Sequence, residues 1–94
     1  MLYLVLAHDG TDAEAPARRA AVRAKHLEGA KASAAAGTLA LGGALLSKDG
    51  AMIGSAMLIE ADSEDAVRAI IENDVYRHRG VWVEYQIWPF ARAV

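Results

Sequence analysis

The sequence predicts a single α+β domain, residues 1–94, with strands and helices in the order β-α-β-β-α-β. Three observations lead there. Short apolar runs alternate with two segments of helical spacing. The tripeptide Lys48-Asp49-Gly50 separates two of those runs as a hairpin would. The first and third runs are apolar on both faces, which suits the middle of an antiparallel sheet.

The first strand is expected at Leu2–His8, with Leu2, Leu4 and Leu6 on one face and Tyr3, Val5 and Ala7 on the other. Gly10–Pro16 reads as a loop, since a proline ring suits the first turn of a helix. The helix then runs over Ala17–Ala36, free of internal proline, and stops at Gly37. Projection at 100° per residue puts Ala17, Ala20, Ala24, Leu27, Lys31 and Ala35 on its sheet-facing side. Strands follow at Thr38–Ser47 and Ala51–Ala61, with a bulge or close backbone approach expected at Gly42-Gly43. Asp62 or Ser63 caps the second helix, which carries Ala66, Val67, Ile70 and Ile71 at helical spacing and ends near Asn73. A loose turn, Asp74–Gly80, leads to the last strand over Val81–Phe90.

This is the ferredoxin-like arrangement, in which two helices cover one face of a four-stranded sheet. The other face would leave Leu, Met and Trp side chains in water, a larger apolar patch than monomers usually carry. The expected remedy is a homodimer packed sheet against sheet. Trp82 and Trp88 are expected on one side of the last strand, as part of that contact.

Composition narrows the function classes. The chain is 54% hydrophobic, but 21 of its residues are Ala, so the core is thin. A formal charge of −2 gives no footprint for nucleic acid, and no apolar run reaches the ~20 residues of a membrane span. Leu2–Ala7 lacks the basic start and the length of a signal peptide, so the protein is read as cytoplasmic. With no Cys there is no disulfide framework and no thiolate metal site. No His pair stands at i, i+4, and neither a phosphate-cradling Gly-rich loop nor a Gly-x-Ser-x-Gly elbow is present. No metal and no cofactor are expected.

Arg19, Arg23 and His26 fall at i, i+4 and i+7 on one stripe of the long helix. A solvated helix face would look like this. So would a site where Arg holds an anionic substrate while a neutral His removes a proton. His8 reads as a polar strand end, and His78 as a surface loop residue.

The chain resembles the YCII-related family. The features that carry the likeness are the opening Leu-Tyr-Leu-Val-Leu-Ala, Arg19-x-x-x-Arg23-x-x-His26-Leu27, Gly37-Thr38-Leu39, Gly42-Gly43, Gly54-Ser55, Asn73-Asp74-Val75-Tyr76 and Ile87-Trp88-Pro89-Phe90. The resemblance implies a dimeric α+β barrel and a site built on the helix His and the Asp of an Asp-Pro-aromatic step. In this sequence those are His26 and Asp74, with Val75 where the family usually has Pro. Ring-acting members of the wider family include a dehydrochlorinase of a chlorinated hydroxyquinol, and related barrels isomerise lactones. The expected function is therefore cofactor-independent proton transfer by His26 and Asp74 on a small anionic or hydroxylated-ring substrate. Arg19, Arg23, Ser55 and Tyr76 are the expected substrate-binding residues. The alternatives are a non-catalytic ligand-binding module and a purely structural dimerisation domain.

Overall fold

The computed structural model describes residues 1–94. Its strands are β1 (Leu2–Asp9), β2 (Leu39–Leu46), β3 (Met52–Glu60) and β4 (Trp82–Phe90), and its helices are α1 (Ala15–Ala35), α2 (Glu64–Glu72) and α3 (Val75–His78). The sheet order is β2-β3-β1-β4, every neighbouring pair antiparallel, so the two strands apolar on both faces occupy the centre. The architecture is ferredoxin-like α+β.

The helices cover one face of the sheet. The core beneath them joins Tyr3, Val5 and Ala7 of β1 and Met57 and Ile59 of β3 to Val67 and Ile71 of α2. Tyr76, Val81 and Trp82 close it. α2 starts where Ser63 Oγ accepts the Ala66 N–H at 3.1 Å, and Glu64 and Asp65 in its first turn complement the helix dipole. The opposite face carries Leu4 between Leu58 and Trp88, and Leu6 between Ala56 and Gln86. Trp88 there is 55% exposed and Leu41 67%.

Five details depart from the sequence expectations. α1 begins two residues early, with Pro16 inside its first turn. Its inward face is Ala15, Arg19, Val22, His26, Ala30 and Ser33, whereas Ala17, Ala20, Ala24, Lys31 and Ala35 point to solvent. Alanines on every side gave the projection no stripe to lock onto. The close backbone approach falls at Gly54, where an added Cβ would lie 2.4 Å from the Ala7 carbonyl oxygen. Gly42 and Gly43 pair in regular register with Met57 and Ala56.

A register shift at His8/Asp9 sets Asp9 opposite Trp82. The irregularity turns Trp82 into the core, fully buried, away from the face that bears Trp88. The segment after Asn73 is a helical turn rather than a loose one. Asp74 caps it, its Oδ1 accepting the Tyr76 N–H at 2.9 Å.

Candidate active site

Because α1 turns polar and small side chains inward, it does not seal against the sheet. A cavity of about 300 Å³ remains between α1, β2, β3 and the α2–α3 connection. That volume is at the small end for small-molecule sites. Arg19, Arg23, His26, Ser55, Asp74 and Tyr76 all line it, and the backbone of Gly42 and Gly43 forms part of its edge. The six residues singled out in the sequence thus converge on one space.

His26 Nδ1 lies 2.8 Å from Asp74 Oδ1, with the His side chain 13% exposed. The imidazole stacks on the Tyr76 ring at 3.8 Å between centroids and 7° between planes. Trp82 stands nearly perpendicular to both rings, its centroid 5.4 Å from each. These contacts leave the imidazole little rotational freedom. The position of Asp74 follows from its capping role, because the bond to the Tyr76 amide fixes its side chain at the start of α3. Val75 occupies the first position of that turn without disturbing the cap.

Below this group lies a second polar cluster. Arg19 Nη1 is 2.9 Å from both oxygens of Asp9, and the two side chains are 7% and 5% exposed. Arg19 Nη2 donates to Ser55 Oγ at 3.1 Å, and so does Trp82 Nε1. The Arg19 guanidinium also stands 4.9 Å from the Tyr76 ring centroid. Asp9 compensates the charge of Arg19 inside the fold. Arg23, exposed at the cavity edge, has no ion-pair partner. Burial pushes the Tyr76 phenol above its ordinary pKa, against the opposing pull of Arg19 and Arg23.

Sequence reasoning missed Asp9 and Trp82. Asp9 was visible as a carboxylate ending an apolar strand, but its partner Arg19 sits ten residues away across a loop. The burial of Trp82 follows from the strand irregularity, which leaves no local signal. His8 pairs with Gly54 and Glu84 across the sheet, and no group of three or more acidic or imidazole side chains gathers as metal ligands.

The fold and the cavity together define a compact ferredoxin-like α+β domain with a small, partly polar cavity under its first helix. The YCII-related domain matches residues 1–91, and the chain belongs to that family. It is 40% identical over 86 residues to derivative of benzaldehyde biosynthesis cluster protein C of Emericella nidulans, covering 84% of this chain and 88% of that protein. It also superposes on the 5-chloro-2-hydroxyhydroquinone dehydrochlorinase of Burkholderia phenoliruptrix, solved with 2,5-dihydroxybenzoquinone. There the TM-score is 0.84 at 26% identity, covering 99% of this chain and 96% of that one.

Proposed function

We propose that this protein is a cofactor-independent enzyme that moves a proton on a small anionic or hydroxylated-ring substrate, in a lyase (dehydrochlorinase) or isomerase reaction. The observation that carries the reading is His26, held 2.8 Å from Asp74 on the wall of the cavity. An ionised carboxylate only accepts hydrogen bonds. The proton shared with Asp74 therefore sits on Nδ1, and Nε2 keeps a lone pair to act as base. Nε2 takes a proton from a ring hydroxyl or from a carbon beside a carbonyl. The electron pair moves into the substrate, and then either a leaving group departs with its pair or the proton returns at another carbon. Arg23 supplies positive charge to an approaching anion, Tyr76 a flat wall, and Ser55, held by Arg19, a polar contact. The reaction named for the Burkholderia enzyme and the benzaldehyde-derivative cluster of the fungal relative support an oxygenated aromatic substrate. A His lining an open cavity also favours a ligand site over a sealed structural contact.

The test is turnover of chlorinated hydroxyquinols, lactones and 2-oxo acids by the protein and by His26→Gln. The variant should lose ~10²–10⁴-fold in rate with its circular dichroism unchanged. Asp74→Asn should lose rate more than binding, and the double variant should be little worse than either single one. Additive losses, or full turnover without the imidazole, refute the assignment.

The same reading places the protein in the cytoplasm as a homodimer, a dimeric α+β barrel closed through the open sheet face. Leu4, Leu6, Leu58 and Trp88 lie on that face, and an obligate interface of this kind commonly buries more than ~2,000 Å². Sedimentation should find a dimer at micromolar concentration, and a stable monomer there removes the barrel.

A further inference from the structure

The cavity is longer than its polar cluster. α1 lines it with Arg19, Arg23 and His26, and then continues past them with Ala30 and Ser33. At 1.5 Å per residue, Ser33 stands about 10 Å beyond His26 along the helix axis. The sheet matches that length. Ser55 and Ile59 both line the cavity from β3, and the four residues between their positions span about 13 Å of extended chain. β2 runs alongside in register, Ala44 against Ser55 and Leu39 against Ile59. Arg19 donates to Ser55 at one end, and the Ser33 carbonyl accepts the Thr38 N–H at 3.0 Å at the other, next to Leu39.

Chemistry divides along this axis. The charged and imidazole side chains of the lining, Arg19, Arg23, His26 and Asp74, belong to the half that begins at Ser55. The other half is walled by Ala30, Leu39, Ile59 and Ile70, with Ile59 only 2% exposed. A cavity of ~150 Å³ takes up a benzene ring, so about 300 Å³ is roughly twice what a single ring occupies.

Resting on the assignment of the cavity as the substrate site, we propose that its substrate is an oxygenated ring bearing a short aliphatic substituent, the ring facing His26 and the substituent lying along α1 against Ala30, Leu39, Ile59 and Ile70. Burial of such a group adds roughly threefold in affinity per methylene. Contacts made away from the reacting atoms hold the ring in place at the imidazole. Ala30 is the specificity-determining position, because its single methyl on the inner side of α1 leaves the passage from His26 to Leu39 open, whereas a Leu there would project across it.

The test compares two probes, 2,5-dihydroxybenzoquinone and its 3-propyl derivative, by calorimetric titration. The unaltered protein should bind the propyl probe at least ~tenfold more tightly. In Ala30→Leu the ratio of the two affinities should fall toward one. A crystal structure with the propyl probe should place its propyl carbons within about 4.5 Å of Ala30 and Leu39. Equal affinities in the unaltered protein overturn the proposal, as does an unchanged ratio in Ala30→Leu. Propyl carbons turned to solvent, or no binding of either probe at millimolar concentration, overturn it as well. If Ala30→Leu fails to fold, the crystal contact decides. None of these readouts needs turnover, so the proton-transfer reading, which stands or falls on His26→Gln, can fail separately from this one.

Discussion

Replacing Arg19 by Met keeps most of the apolar stem of the side chain but removes the guanidinium and its charge. Asp9 would then be left 5% exposed with no partner, and Ser55 would lose one of its two donors. Breaking a buried ion pair from one side costs about 3–5 kcal/mol, mostly the desolvation of the abandoned charge. A domain of this size has on the order of 5–15 kcal/mol in all. With a urea slope of about 1–1.5 kcal/mol/M, the unfolding midpoint should fall by at least ~2 M. The melting temperature should fall by roughly 12 °C or more. The double variant Asp9→Leu/Arg19→Met should recover most of the loss, because an apolar pair leaves no buried charge. Urea unfolding followed by circular dichroism at equal slope reads all three proteins. If Arg19→Met costs less than ~1 kcal/mol, or the double variant is as weak as the single, the pair is not buried as described.

Gly54→Ala should destabilise by about 2–3 kcal/mol, because its Cβ would lie 2.4 Å from the Ala7 carbonyl oxygen. Gly43→Ala, with open space around the new methyl, should stay within ~0.5 kcal/mol, and equal costs in thermal unfolding would refute the close approach at Gly54. The raised Tyr76 phenol predicts an alkaline limb: a group whose folded pKa is raised stabilises fully below its unfolded value of about 10 and loses that contribution as pH rises past it. Urea midpoints against pH should therefore decline less steeply above pH ~10 in Tyr76→Phe than in the unaltered protein, and parallel declines would count against it.

The sheet was legible in the sequence because burial on both faces is written into consecutive residues. Leu2–Ala7 and Met52–Ile59 have no polar side to turn outward, so β1 and β3 had to be central. α1 was legible as a helix but not in phase. Alanine buries and exposes almost equally well, so the face was decided by residues that projection treats as surface. Arg19 faces inward only because β1 ends in Asp9, and that partnership spans two elements. The candidate site divides along the same line. His26, Asp74 and Ser55 were named through the family pattern, while the two donors that converge on the Ser55 oxygen come from α1 and β4 and have no local signal.

The division of labour between the helices explains why so small a domain tolerates a polar cluster. α2 turns Val67 and Ile71 onto the sheet, where both are fully buried, and with Val5, Val81 and Trp82 they supply the dense apolar contacts. α1 contributes less to that core, mainly through Val22, and its remaining inward positions go to Arg19, His26, Ala30 and Ser33. A Leu at any of these would add apolar burial and fill the cavity. Sacrificing that burial is the expected cost of a site that needs fixed polar groups. Each group is then fixed by a carboxylate at the end of an element: Asp9, closing β1, orients Arg19 and through it Ser55, and Asp74, opening α3, orients His26. Two separate supports hold a hydroxyl and an imidazole on the walls of one cavity. An ion pair that adds little net stability over an apolar pair is therefore better understood through the geometry it fixes, the Arg19 guanidinium held against Ser55, than through the energy it contributes.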